Sequence, residues 1–368
     1  MKKQTVFTSG LVLLLLLAAC SKQPSKVSPT PVPAVTPTTV VTPAPTAAPA
    51  ATPAPTPAGG INPLSGLPMD LSLVNRRPVA IMLNNIVTAL PQAGQSQADI
   101  LYEVLAEGGI TRMLGVFQSP AQVQTMGSIR SARPYYLELA LGHDAIYIHA
   151  GGSEDAYAKI PKWKVTALDG VRGPYMSNTP GENLMWRDPV RRKKAGLEHS
   201  VVTTGKTLDT LLPTYGIRLD HADGYAPALT FAPDGTPKNG VDAAEIKVPF
   251  VRKITGFTYD AKSKLYMVSE YGKPYMDANS DSQVGVTNVL VLKANCHNTG
   301  DSLGHITVDL TGGTGYFACG GKLIDIQWHK DFPDGQLVYE LLDGTPLTLG
   351  AGHSYICIAP TEGNVEIK

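Results

Sequence analysis

Four largely apolar runs of strand length constrain this chain most: Pro78–Asn84, Ile100–Val104, Met113–Phe117 and Ala145–His149. A strand with one wet face alternates apolar and polar residues. A run without alternation needs cover on both faces, as in the central sheet of an α/β layer. Helix-like segments follow these runs. Pro134–Leu141 opens with a proline suited to a first turn and carries apolar residues at helical spacing. Ser153–Ile160 opens with a capping serine and two acids, and Thr204–Leu212 closes this half. The order predicts an α/β domain over residues 61–215, with a central sheet flanked by helices.

From residue 243 the pattern changes. Short β-branched or aromatic runs span Lys247–Val251, Gly256–Tyr259, Lys264–Ser269, Asn288–Leu292, Ile306–Leu310, Leu323–His329 and Ser354–Ile358, separated by Gly-, Asp- and Asn-rich turns. They predict a β-rich domain over 243–368, a sandwich or small barrel. Residues 216–242, rich in Ala-Pro and Asp-Gly breaks, read as the linker.

The N-terminus supplies an address. Lys2 and Lys3 precede the apolar run Leu11–Leu17, which ends in Leu17-Ala18-Ala19-Cys20. A short apolar core closed by small residues is a secretory signal, here residues 1–19. Cysteine at the cut makes it similar to a bacterial lipoprotein signal, in which Cys20 takes a diacylglycerol on sulfur. The alternatives are an ordinary signal peptide with an incidental cysteine, or a membrane-spanning helix, for which the run is short. Residues 20–60 are mostly Pro, Thr and Ala and hold too few large apolar residues to offset the entropy of ordering. As an extended stalk they reach on the order of 100 Å. The expectation is a protein lipid-anchored at the extracytoplasmic face of the cell membrane.

The precursor carries no net charge, and losing Lys2 and Lys3 leaves it slightly acidic. That balance offers no general attraction to nucleic acid, so an anionic ligand needs a local arginine cluster. After lipidation Cys296, Cys319 and Cys357 remain. Cys357 lies in a strand-like run and reads as a small buried hydrophobe. Cys296 and Cys319, in turn-rich sequence, are the candidates for a disulfide. No Cys/His spacing resembles a zinc site, and no nucleophile elbow, zinc helix or nucleotide loop is present.

Several long motifs carry a resemblance: Asn62-Pro63-Leu64-Ser65-Gly66, Arg77-Pro78-Val79-Ala80, Gln97-Ala98-Asp99-Ile100, Glu103 through Arg112, Arg130-Ser131-Ala132-Arg133-Pro134-Tyr135 and His149-Ala150-Gly151-Gly152-Ser153. Together they resemble the YerB-type bacterial lipoproteins, a family defined by an N-terminal and a C-terminal domain of unknown function. The order Asp99, Arg130 and Arg133, His149, then Arg187-Asp188 is also faintly similar to LytR-CpsA-Psr envelope proteins. That similarity implies a pyrophosphate site of arginines with an aspartate near a metal. Arg130-Ser131-Ala132-Arg133 lacks an aspartate directly after an arginine, which departs from that pattern.

The residues themselves mark the same region. Met126 to Pro134 is a Gly/Ser-containing loop before a helix, able to offer backbone donors to an anion. Arg130 and Arg133 add planar forks, with Ser131 between them. The alternative is that both arginines pair with Glu138 and nearby acids on a solvated face. Asp99 opens a strand and is a candidate ligand or a turn cap. Asn84-Asn85 ends a buried strand, where sites form in open α/β sheets, or simply makes a turn. Gly108 to Arg112 is a tight turn or a ligand loop. His149 is a structural donor or a base. Arg187 and Asp188 join a basic run that is either a solvated loop or part of the site.

The candidate ligand-binding set is therefore Asp99, Arg112, Arg130, Ser131, Arg133, His149, Arg187 and Asp188, with Cys20 for lipidation. Three readings stand: a non-catalytic lipoprotein that binds an anionic envelope glycan, lipid-linked precursor or envelope partner; a glycopolymer transferase, which requires Asp99 and the arginines in one cleft with a divalent cation; and a structural interaction module. The first is the expectation, with no cofactor.

Overall fold

The computed structural model describes residues 59–368. The leader, Cys20 and nearly all of the stalk lie outside the described residues.

The apolar runs form strands. They are β1 (Val79–Asn84), β2 (Ile100–Leu105) and β3 (Thr111–Phe117), then helix α1 (Pro134–Gly142), β4 (Ile146–His149), α2 (Glu154–Lys162), β5 (Ala167–Asp169), α3 (Pro189–Ala195) and α4 (Gly205–Leu211). The second half adds β6 (Glu245–Phe250), β7 (Lys253–Asp260), β8 (Leu265–Glu270), β9 (Asn288–Ala294), β10 (Cys296–Asn298), β11 (Ile306–Val308), β12 (Gly312–Cys319), β13 (Lys322–His329) and β14 (Ser354–Pro360).

The main sheet takes strands from both halves, in the order β13-β12-β9-β14-β2-β3-β1-β4-β5. The seam is parallel: Ser354 through Ile358 of β14 pair with Ile100 through Val104 of β2. The hydrogen bonding thus runs across the boundary expected between the two halves. The β-rich half is neither a separate sandwich nor a barrel. Some of its strands widen the central sheet. Others, β6, β7 and β8, form a second sheet.

Side chains of a strand alternate in direction, and here both directions are buried. Val79, Ile81, Leu83, Leu101, Leu105, Val289 and Tyr355 pack with Ile246, Val248, Phe257 and Val268 of the second sheet. Ala80, Met82, Tyr102, Val104, Leu290 and Ile358 pack with Tyr136, Leu137 and Leu139 of α1 on the other side. Helices therefore line one face, as expected, whereas much of the other is covered by a sheet. Each fully buried aliphatic side chain contributes roughly 1.5–3 kcal/mol.

β12 escaped the sequence reading because Gly312, Gly313 and Gly315 look like a turn. A Cβ on Gly315 would lie 2.3 Å from the Val291 carbonyl oxygen, so the close approach of β12 to β9 needs glycine there.

The proposed cysteine pair does not form. Cys296, Cys319 and Cys357 are all free. Cys319 is in register with Asn288 at the start of β9, while Cys296 lies beyond the end of that strand. A strand of this length holds the two roughly 20 Å apart.

Candidate functional site

β1, β2, β4 and β5 run in one direction, with β3 antiparallel between β1 and β2. Ligands in α/β sheets gather at the carboxyl ends of such strands. Asn84, His149 and Asp169 stand at those ends, and the turn after β2 places Glu107 there, followed by Arg112 in β3.

Glu107 organises the cluster. Its Oε2 accepts from Arg133 Nε at 3.0 Å, its Oε1 accepts from Arg133 Nη2, and Arg112 Nη2 also donates to Oε1. Arg133 Nη1 donates to the Ala132 carbonyl at 2.7 Å. Burial alone would raise the Glu107 carboxyl, but the two guanidiniums more than offset it and hold it below the usual range. Arg112 is fully desolvated and crowded by Arg133, which pushes its guanidinium down to about 10.

Arg130 stands near this group but pairs with a different acid, its Nη1 lying 3.7 Å from Glu198 Oε2. Its Nη1 donates to the Glu198 carbonyl at 3.0 Å, and its buried Nε has no partner among the described residues. Arg187 Nη1 donates to the neighbouring Leu197 carbonyl at 2.5 Å, so Arg130 and Arg187 brace one turn. Ser131 Oγ donates to the Ala150 carbonyl at 3.3 Å. His149 is wholly buried and donates Nδ1–H to the Gly151 carbonyl at 2.8 Å, which leaves Nε2 as an acceptor without a partner. Burial keeps its imidazole below the ordinary value although Asp169 lies 3.7 Å away. The hydroxyls of Tyr135 and Tyr147 are buried and unpartnered as well.

Two expected members do not join this group. Asp99 stands just before β2 and so lies at the amino end of the strand whose other end leads to Glu107, roughly 20 Å away. It accepts from the Gln118 amide at 2.7 Å and from Asn62 Nδ2 at 2.8 Å, which ties the segment at Asn62 to the sheet. Asp188 caps α3, accepting from the Arg191 amide at 2.7 Å. The partner of Arg133 is Glu107 rather than Glu138, and Arg133 is buried rather than solvated.

Glu107 and Asp169 were not foreseen. Asp169 gathers the amides of Gly151, Val171 and Arg172 at 2.8–3.0 Å and the Tyr157 hydroxyl at 2.7 Å, which fixes the Gly151–Gly152 turn beneath the arginines. Glu107 stands within the quoted Glu103–Arg112 motif. The available signal was a lone acid beside two glycines and five residues before an arginine.

Through Arg133 the cluster borders a groove of about 590 Å³ between the starts of α1 and α2 and the β10–β11 hairpin, whose lining also carries the acids Glu154, Asp155 and Asp301. Ser131, Arg133 and Tyr135 line one side, with Glu138 and Lys159 beyond them, and His305 faces from the hairpin connection. Burial raises the Glu138 carboxyl to about 7. Among the described residues no group of three metal-ligating side chains is placed to hold a cation.

Residues 64–218 match the model "Protein of unknown function (DUF3048) N-terminal domain", and residues 246–356 match its C-terminal counterpart. A Bacillus subtilis (strain 168) protein, "Putative lipoprotein YerB", is 30% identical over 303 residues, covering 81% of this chain and 86% of its own length. The chain belongs to the YerB-type family. The crystal structure of YerB protein from Bacillus subtilis superposes with a TM-score of 0.71 at 28% identity, covering 83% of this chain and 99% of that one. The two domain models of the YerB-type family leave residues 219–245 between them. A lipoprotein of unknown role is what this membership supports, and none of the described helices is long and apolar enough to cross a membrane.

Proposed function

We propose that this protein is anchored to the extracytoplasmic face of the membrane through lipidated Cys20. There it binds an anionic envelope ligand, a glycan or a lipid-linked precursor, in the groove beside Arg133. One observation carries the reading. Arg112 and Arg133 converge on a single carboxylate, Glu107, with Arg133 lining a groove, and Arg130 stands near them paired with Glu198, so three guanidiniums share two carboxylates. Buried positive charge in excess of its counter-charge is unfavourable unless an anion completes it. Phosphate and carboxylate suit the planar guanidinium fork. The role is binding. The transferase alternative needs Asp99 among the arginines, and Asp99 is held at the other end of β2 by Gln118 and Asn62.

The test uses Arg133→Lys, because Arg133 is the arginine that lines the groove, and lysine keeps the charge beside Glu107 while losing the planar fork. The lipidated protein in detergent is presented with vesicles carrying a polyprenyl pyrophosphate and, separately, with a soluble acidic polysaccharide. Losing one charge-assisted contact of about 1.5–3 kcal/mol weakens binding about tenfold or more. Asp99→Asn leaves binding unchanged. Equal binding by wild type and Arg133→Lys, with equal melts, refutes the site.

A further inference from the structure

A second cluster lies between the two sheets and opens onto none of the grooves. Lys253 Nζ is 2.6 Å from Glu103 Oε1 and 2.7 Å from Glu270 Oε1, and the three side chains have no exposed surface. Asn85, also fully buried, donates Nδ2–H toward the same two oxygens at 2.9 and 3.1 Å. The lysine nitrogen and the carboxamide therefore crowd round one pair of carboxyl oxygens. Thr111 Oγ1 donates to Glu103 Oε1 at 2.7 Å, and the hydroxyls of Thr255 and Tyr355 donate to Oε2, each at 2.8 Å. The Tyr355 hydroxyl also lies 3.2 Å from Glu270 Oε1, to which it can donate in place of Glu103. Burial, the leading cause, raises the Glu270 carboxyl to about 7. Asn85 Oδ1 and Glu270 Oε2 have no hydrogen-bond partner among the described residues. Phe257, Tyr275 and Tyr355 are buried beside them.

Burying two carboxyls and an ammonium is costly, and no ligand reaches these groups. Their chemistry can act only on one another. The set comprises an amine nucleophile, a carboxamide electrophile, a base and an acid, shielded from water.

We propose that Lys253 and Asn85 become joined by an amide bond between Nζ and Cγ, formed within the folded protein with loss of ammonia. Glu103 takes a proton from Nζ, and the freed amine attacks Asn85 Cγ. Glu270 hands its proton to Nδ2 and recovers one from the attacking nitrogen. The Nζ–Cγ bond forms, the Cγ–Nδ2 bond breaks, and Nδ2 leaves as ammonia. Nothing is oxidised or reduced. An ammonium and a carboxylate give way to a neutral amide and a carboxylic acid, so the reaction removes the buried charge that the cluster otherwise has to hold. The bond ties the end of β1 in the main sheet to the start of β7 in the second sheet.

The experiment is peptide mapping of the full chain extracted from membranes, denatured and digested, with mass spectrometry as the readout. The expected species contains Asn85 and Lys253 in one branched peptide, lighter than the two linear peptides together by one ammonia. Lys253→Arg abolishes it. If that variant does not fold, the wild-type map still decides. Linear peptides alone, with intact Asn85 and free Lys253, overturn the proposal, as does a branched peptide lighter by water, which would join Lys253 to a glutamate.

Discussion

Replacing Glu107 with glutamine tests the arginine clamp most directly. The substitution keeps size and hydrogen-bonding capacity but removes the charge shared by Arg112 and Arg133. Arg112 is 3% exposed and Arg133 7%, so neither escapes to water, and the two guanidiniums are left repelling each other. Removing one partner from a buried pair costs about 3–5 kcal/mol. Glu107 retains about a fifth of its side-chain exposure, which places the loss near the low end, about 3 kcal/mol. For a unit of this size each kcal/mol lowers the melting midpoint by about 2 °C, a fall of roughly 6 °C. The pH dependence supplies a second check. The folded-state value of Glu107 is depressed, so its stabilisation is present above the unfolded value of about 4.3 and is lost as pH falls through the folded value. The gap between wild type and Glu107→Gln, measured by urea unfolding, is therefore full at neutral pH and closes in acid. A gap under about 1 kcal/mol at pH 7, or one that stays constant into acid, would refute the clamp.

The continuous sheet and the cysteines give two further expectations. A fragment of residues 59–242 lacks β14, exposes the whole edge of β2, and shows no cooperative melt; a sharp two-state transition would mean the N-terminal half builds a core of its own. Cys296, Cys319 and Cys357 resist alkylation at neutral pH in the native state, since burial pushes the first two thiols up to about 12 and about 11 and the third well above its ordinary value. All three react after unfolding without a reductant, and a shortfall would reveal a disulfide.

What the sequence made legible, and what it hid, follows from the range of each signal. The strands β1 to β4 and helices α1, α2 and α4 could be read because burial on two faces, a first-turn proline and a capping serine act over a few residues. The partner of β2 could not be read. Pairing with Ser354–Ile358 joins segments some 250 positions apart, and no local pattern distinguishes a strand that closes its own domain from one that completes another. The arginines of the site were visible because a loop that carries two guanidiniums before a helix is unusual anywhere. Asp99 was misplaced for a geometric reason. Adjacent in sequence to a strand of the right sheet, it stands just before that strand, and the arginine cluster lies past Leu105. The same strand held the most informative residue of the second cluster. Glu103 interrupts an apolar run by a single charge, which looks like tolerated noise until Lys253 and Glu270 are brought to it from the other sheet. An ionisable residue in the middle of an otherwise continuous buried strand must find a counter-charge or react. Such an interruption is therefore the place to look for long-range chemistry, ahead of the exposed basic runs that draw the eye.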